Sequence, residues 1–309
     1  MKTMTPGQAF LGLDDCDAVT YDDARAVVIP FGLEASVCYG GGTSRGPQAM
    51  IAASHELEFF DEELWCEPYR EIGIVTLAEP LIAQPLPDAL CQLESMVEAV
   101  VAAGKFPLVF GGEHAITAGA IRPFAKRFGD LAILHFDAHT DLRDGYEGEH
   151  YSHAAALRRC LDDDVVAKRG THIELVSCGI RNISVEEVSF LEENRQRIHI
   201  YWARDRNQWD VDEIVAHLKG KPVYVTVDVD CFDTSLMPAT GTPEPGGLFW
   251  DEVLEVISRT AHVSTIVGAD INELAPIEGC HAYDFLAAKL AYKILGFAFQ
   301  SSFGNAVRK

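Results

Sequence analysis

The sequence predicts an α/β fold in which a mostly parallel β-sheet is sandwiched by helices. Three observations predict it: short β-branched runs recur along the chain, segments of helical period separate them, and several runs are continuously apolar. A strand covered on both faces needs such a run, whereas a half-solvated strand would alternate. Strands alternating with helices over short connections imply parallel pairing with helices on the two faces. No Pro/Gly-rich linker and no internal repeat interrupts the pattern, so residues 1–309 are read as a single domain. At 48% hydrophobic residues, the chain has ample apolar material for the core of that domain.

The first strand is AVVIPF (26–31), and IGIVTL (72–77) is the second. PDALCQLESMVEAVVAAG opens on Pro-Asp, carries apolar residues at helical spacing and closes on Gly104, the start and stop marks of a helix. Further strands are FPLVFGG (106–112), LAILHFD (131–137), IELVSCGI (173–180), RIHIYW (197–202) and PVYVTVDVD (222–230). WDEVLEVISRTAH is a second helix and STIVGADI (264–271) the last strand. AYDFLAAKLAYKILGFAF is a helix apolar enough to be buried at a core or subunit contact.

Composition excludes some partners. A formal net charge of −22 weighs against the cationic face that phosphates need, so no nucleic-acid partner is expected. That balance suits a cationic small molecule or a metal, though most surplus acids serve as solvated surface. No apolar run reaches membrane-spanning length, and residues 1–20 lack a signal-peptide core, so no membrane partner is expected and the protein is assigned to the cytoplasm. Eight scattered cysteines with no CxxC pair are read as reduced thiols. GGEH lacks the Gly-Lys-Ser/Thr that grips phosphates, and GYEG and YGGG carry no dinucleotide fingerprint, so nucleotide binding is set aside.

In open parallel sheets, ligands bind beyond the carboxyl ends of the strands. Four strands here end unusually, in Glu113-His114, in Asp137-Ala-His139-Thr-Asp141, in Asp228-Val-Asp230 and in Asn272-Glu273. Alternate residues of an extended segment point the same way, so Asp137, His139 and Asp141 are expected to converge, as are Asp228 and Asp230. A lone D-x-D at a strand end is more often a turn or a helix cap. Four aspartates and two histidines gathered without a cation would repel. Carboxylate oxygens mixed with imidazole suit manganese better than zinc or calcium. Six ligands exceed what one ion needs, and two divalent ions bridged by two carboxylates balance the four negative charges. Such a pair lowers the pKa of a shared water and supplies a nucleophile at neutral pH.

Four segments, GGEHAIT (111–117), FDAHTDLRD (136–144), VTVDVDCFDTSLMPATGTPEPGGL (225–248) and GADINELAP (268–276), resemble the ureohydrolase family of arginases and agmatinases in order and spacing. YGGGTSRGPQAMIAAS resembles the family's glycine-rich segment before its first helix, so the resemblance covers nearly the whole chain. It implies the arginase-like fold, a three-layer α/β/α sandwich, with two Mn2+ per subunit and a homotrimer or homohexamer. Carried over by position, one manganese would be held by His114, Asp137, Asp141 and Asp228, the other by Asp137, His139, Asp228 and Asp230. His153, in YSHAA, matches the family's proton-shuttling histidine, with Ala154 where the family usually has glycine. An imidazole titrates in the range a general acid needs. His150, three residues earlier, is the rival shuttle. Glu273 matches the family's guanidinium-binding acid, since a carboxylate can accept paired hydrogen bonds from that planar cation.

The resemblance also bears on the substrate. Arginases place a Ser-Gly-Asn segment after the D-x-H-x-D, where it helps hold the amino acid's carboxylate. This chain reads DGYEGEHYSHAAALRR (144–159) instead, and GTPEPGG (241–247) carries Glu244 in the agmatinase-like manner. Both departures favour a small cationic guanidino substrate without a carboxylate, agmatine, hydrolysed to putrescine and urea as in polyamine biosynthesis. Guanidinobutyrase is the main alternative, ahead of arginase, formimidoylglutamase and hydrolases of aminopropyl-guanidines or free guanidine. Arg143, Arg158, Arg159 and Arg181 lie close enough in sequence to serve a carboxylate. The alternative of another class is a catalytically silent, metal-binding regulatory subunit, against which every ligand is present. Asp233 is read either as orienting a ligand histidine or as capping a turn. His135 is read as a hydrogen-bonded core histidine, Cys178 and Cys231 as buried small hydrophobes. His55, His172, His199, His217, His262 and His281 are read as packed or solvated, without partners.

Overall fold

The computed structural model describes residues 1–162 and 170–303. Eight strands form one sheet: β1 (Ala26–Phe31), β2 (Ile74–Thr76), β3 (Phe106–Gly111), β4 (Asp130–Phe136), β5 (His172–Ile180), β6 (Ile198–Trp202), β7 (Pro222–Asp228) and β8 (Thr265–Asn272). Their order is β2-β1-β3-β8-β7-β4-β5-β6, and every neighbouring pair is parallel.

Both faces are covered, as the continuous apolar runs require. Along β1, Ala26 and Val28 join one core cluster and Val27 and Ile29 the other, the alternation of a pleated strand. Along β4, Ala132 and Leu134 likewise face away from Leu131 and Ile133. Helices Leu86–Ala102, Ile116–Arg127 and Ala156–Asp162 cover one face, while Gly46–Ser54, Trp250–Val263 and Ala282–Phe299 cover the other. This is a three-layer α/β/α sandwich. Among the described residues no helix is long and apolar enough to cross a membrane.

Two strands are shorter than their apolar runs by two residues or more. Residues Pro68–Ile72 form a short helix that Gly73 ends at φ +63°, a conformation glycine adopts without strain, so β2 begins only at Ile74. At the other site of shortening, the Asp228 side chain accepts a hydrogen bond from Asp230 N–H and starts a 3-10 turn over Val229–Cys231, which ends β7. The apolar helix Ala282–Phe299 is buried in the core, where Lys293 is held by Asp61 at 3.0 Å and Glu63 at 2.8 Å.

The topology settles what lies beside what. Strands β3, β8, β7 and β4 are consecutive in the sheet, and these are the four whose carboxyl ends carry His114, Glu273, Asp228 and Asp137. The carboxyl-terminal edge of the sheet, at the ends of its four central strands, therefore collects every acidic strand end.

Candidate metal centre

His114, Asp137, His139, Asp141, Asp228 and Asp230 meet at that edge. His114 Nδ1 lies 3.1 Å from Asp137 Oδ2, 3.1 Å from Asp141 Oδ2 and 3.6 Å from Asp228 Oδ2. His139 Nδ1 lies 3.0 Å from Asp230 Oδ2 and 3.5 Å from Asp137 Oδ1. Asp137 thus turns one oxygen to each histidine, the disposition of a carboxylate that bridges two sites. All but His139 are buried.

The convergence is not produced by strand pleating, and here the sequence expectation is corrected. β4 stops at Phe136, the chain bends at Ala138, His139 keeps an isolated parallel bridge to Asn182, and Asp141 turns at φ +53°. Asp228 and Asp230 meet across the 3-10 turn just described, through Asp230 N–H to Asp228 Oδ1 at 2.8 Å. Glu273 also sits at positive φ, +66°. For non-glycine residues that backbone is strained and persists where the surroundings over-determine it, typically at functional sites.

Electrostatically the groups do not balance among themselves, because four carboxylates outnumber two imidazoles. Burial pushes Asp228 and Asp230 up from the usual carboxylate range, and the neighbouring aspartates push the same way. Burial acts on Asp137 too, yet His114, His135 and His139 around it hold its carboxyl well below that range. Burial would lower His114 and His139, but their aspartate partners raise both. Such a set suits divalent cations, which replace protons on imidazole and carboxylate alike.

One atom tests the fit. His114 Nδ1 is buried and has no hydrogen bond of normal geometry. On the ring's other side Nε2 lies 2.8 Å from Thr226 Oγ1, whose single hydrogen goes to Asp270 Oδ1 at 2.6 Å. Nε2–H therefore donates to Thr226, and Nδ1 is left to offer a lone pair to the cluster, as in metal sites whose ligand histidines are oriented from behind. Asp270 is buried and anchors the arrangement, accepting also from Tyr224 Oη at 2.8 Å, Thr117 Oγ1 at 3.0 Å and Asn272 Nδ2 at 2.7 Å. The sequence reading gave Asp270, Thr226 and Thr117 no role; only their proximity to His114 identifies them.

Over the cluster opens a cavity of about 190 Å³, lined by His114, His139, Asp141, Asp228, His153 and Glu273 together with Val37, Cys38, Tyr39, Arg143 and Tyr146. Glu273 is buried, which pushes its carboxyl up. Its Oε1 accepts from His114 N–H at 2.6 Å. His153 reaches the cavity, whereas its rival His150 packs against the Arg159 guanidinium and the Tyr151 ring and does not line it. Glu244 stands at the rim, 4.0 Å from His139 Nε2, and accepts from Asn182 Nδ2 at 2.6 Å.

Of the four arginines, only Arg143 lines the cavity. It is paired with Glu186 at 2.8 Å and lies over the Tyr146 ring. Arg158 pairs with Asp162, Arg159 is buried against Asp144, and Arg181 donates to the backbone carbonyls of Asp230 and Glu244. Asp233 turns out to clamp a loop: it accepts from Ser235 N–H and Oγ–H and from the Gly246 and Gly247 N–H groups, and touches no ligand histidine. His135 is a core histidine, bonded to Ser177 Oγ and Asp137 Oδ2 at 2.9 Å each. Cys178 and Cys231 are buried free thiols. Five of the six histidines expected to lack partners have them: His55 Nε2 lies 2.9 Å from the Ala9 carbonyl, His262 Nδ1 2.7 Å from the Ser258 carbonyl and His172 Nε2 3.6 Å from Glu174 Oε2, while His199 and His217 meet each other. Their rings stack 3.6 Å apart, and His199 Nε2 lies 2.7 Å from Glu174 Oε1 at the amino end of β5, where Lys221 also pairs with Glu174.

The profile described as "Arginase family" matches residues 24–296. The chain is 37% identical over 295 residues to the N(1)-aminopropylagmatine ureohydrolase of Synechocystis sp., covering 92% of each. It is 33% identical to the agmatinase of Bacillus anthracis, covering 84% of this chain and 86% of that one. The crystal structure of agmatine ureohydrolase from Thermoplasma volcanium superposes with a TM-score of 0.81 at 27% identity, covering 96% of this chain and 95% of the other.

Proposed function

Because the chain belongs to the arginase family of ureohydrolases, we propose that its metal centre hydrolyses the guanidino group of a small, carboxylate-free amine, agmatine, to urea and putrescine. The observation that carries this reading is the meeting of two imidazoles and four carboxylates on the floor of a cavity whose wall holds Glu273.

One divalent cation would be held by His114, Asp137, Asp141 and Asp228, a second by Asp137, His139, Asp228 and Asp230. Mixed oxygen and imidazole donors favour manganese. When bound, such a pair ionises water at neutral pH and so supplies the oxygen that adds to the guanidinium carbon. The remaining work falls to the chain's own side chains. Glu273 has Oε1 committed to His114 N–H, which leaves Oε2 to accept from the guanidinium and hold its carbon over the floor. A cation beside Glu273 also offsets the burial that raises its pKa. His153 takes the proton that the added oxygen sheds and gives it to the amine nitrogen as the carbon–nitrogen bond breaks, so that urea and a neutral amine result.

The tail of the substrate is assigned by charge. Three of the four nearby arginines are committed away from the cavity and the fourth is neutralised by Glu186, so a substrate carboxylate would find no uncompensated cation on the described wall. A second reading, agmatine extended by an aminopropyl group, is favoured by the 37% identity to the Synechocystis enzyme of that name. Urea release from agmatine, N1-aminopropylagmatine, arginine and 4-guanidinobutyrate, with and without added manganese, decides between them. Faster turnover of arginine or 4-guanidinobutyrate by a wide margin would overturn the assignment. A cytoplasmic homotrimer or homohexamer belongs to the same proposal, and light scattering of the purified chain tests the assembly.

A further inference from the structure

A histidine that moves a proton must present one ring nitrogen, and what the other nitrogen bonds decides which one it presents. His153 Nδ1 lies 3.1 Å from Ser36 Oγ, and His153 N–H donates to the same oxygen at 3.0 Å. Ser36 Oγ in turn donates to Glu113 Oε1 at 3.1 Å. The other oxygen of buried Glu113 accepts from Ala35 N–H at 2.7 Å and Ser36 N–H at 2.6 Å, so one carboxylate grips the loop at three points.

A hydroxyl has one hydrogen and two lone pairs. With the hydrogen turned to Glu113 and one lone pair taken by His153 N–H, the second lone pair faces Nδ1. With Glu113 ionised, the form its two backbone N–H donors favour, the opposite assignment, hydroxyl hydrogen to Nδ1, would leave Ser36 Oγ and Glu113 Oε1 facing each other as two acceptors. Ser152 Oγ lies farther from Nδ1, at 3.4 Å, and can accept the same hydrogen; with Ser36 the nearer partner, Nδ1 carries a hydrogen and Nε2 is the nitrogen left for chemistry. Nε2 points toward the cavity, since its neighbour at 3.8 Å is the Sγ atom of Cys38, which lines that cavity.

We propose that Ser36 is a positioning residue: anchored by Glu113, its hydroxyl accepts from His153 Nδ1–H and thereby presents Nε2 to the leaving amine. This rests on the reading of His153 as the proton shuttle, in which the bare Nε2 first accepts a proton and then passes it to the amine. Neither Ser36 nor Glu113 was given a role by the sequence pattern, because they lie 117 and 40 residues from His153 and meet it only in the fold.

The test has two arms. The first needs no substrate: long-range 15N–1H spectra of the histidine-labelled full chain, loaded with a diamagnetic divalent cation, with the His153 signals assigned from His153→Asn. Wild type is expected to show the Nδ1–H tautomer, and Ser36→Ala a shift toward Nε2–H; an Nε2–H tautomer in wild type overturns the proposal. The second arm is kinetic. Ser36→Ala should lower kcat by about 10- to 100-fold, a part of what general acid catalysis contributes, with KM and bound cation unchanged. Ser36→Thr, which keeps the hydroxyl, should recover most of the loss. In a His153→Asn background Ser36→Ala should add nothing, because it acts through that ring. An equal loss in both backgrounds, or a loss that tracks cation content, overturns the proposal. A wild type that releases urea from no guanidino compound defeats the assigned reaction instead, and the tautomer still decides the role of Ser36.

Discussion

The Nδ1 atom of His114 lies 3.1 Å from Oδ2 of Asp137, while the ring's other nitrogen is already claimed by Thr226. The two residues come from the ends of β3 and β4, strands that are not sheet neighbours but stand on either side of the β8-β7 pair. Asp228, at the end of β7, closes the gap between them at 3.6 Å from the same nitrogen.

Asp228 is therefore the residue whose loss should do most harm. The purified wild type is expected to retain about two divalent cations per chain, and Asp228→Ala to lose both cations and turnover. Elemental analysis after gel filtration, beside a urea assay, measures this. Full activity in the variant would remove Asp228 from the ligand set. Because the cations bind only the folded chain, restoring them to the metal-free wild type at 100 times their Kd should stabilise it by about 2.7 kcal/mol for each site filled, and Asp228→Ala hardly at all.

Thr226→Val keeps shape and removes the hydroxyl between His114 Nε2 and Asp270. Loss of such a supporting partner is expected to weaken cation affinity by about 10- to 100-fold. Asp270 Oδ1 keeps Asn272 Nδ2, but the buried His114 Nε2–H is left without an acceptor, which costs about 1–3 kcal/mol of stability. Activation curves with increasing manganese and a thermal melt report the two effects separately. An unchanged activation midpoint would show that Thr226 does not orient the ligand.

Arg143→Ala discriminates between substrate tails. If the natural substrate is a cation, removing this partly compensated charge from the cavity wall leaves kcat/KM for agmatine unchanged or raises it a few-fold, the scale of about 1 kcal/mol for an exposed pair. Any residual turnover of 4-guanidinobutyrate should fall. A tenfold loss on agmatine in a properly folded variant would mean that Arg143 holds the substrate, and the assignment to carboxylate-free compounds would fail.

Asp233 gives the fold an acid limit. Hydrogen bonds from the Ser235 hydroxyl and backbone N–H, with those of Gly246 and Gly247, lower its pKa from 3.8 to about 2. A folded pKa below the unfolded one means stabilisation that is complete above about pH 4 and is lost as the pH falls through about 2. Asp233→Ala should lower Tm at pH 7 and narrow its gap to wild type toward pH 2, as followed by circular dichroism. A gap independent of pH would show that the carboxylate charge is not what holds the loop.

Much was legible in the sequence, for identifiable reasons. The eight strands announce themselves because burial on both faces demands continuous apolar runs, and that is a property of a few adjacent residues. The six candidate ligands are legible for a similar reason: carboxylates and imidazoles clustered after apolar runs are too costly to desolvate without compensation. What failed to carry over was the local mechanism, since Asp137–Asp141 and Asp228–Asp230 converge through bends and a 3-10 turn, not through the pleat. Turns of that kind depend on which side-chain oxygen reaches which backbone N–H, and residue spacing does not encode it.

By itself, then, the sequence determined the layers, the strands and the chemical type of the groups at their ends, because periodicity and desolvation act over short stretches of chain. Only the tertiary structure decided that β3, β8, β7 and β4 lie side by side, that His153 and not His150 faces the cavity, and that Ser36 stands behind His153 and Thr226 and Asp270 behind His114. Those outcomes follow from strand order and packing, which join residues far apart in the chain, and no local pattern records which distant segments will become neighbours.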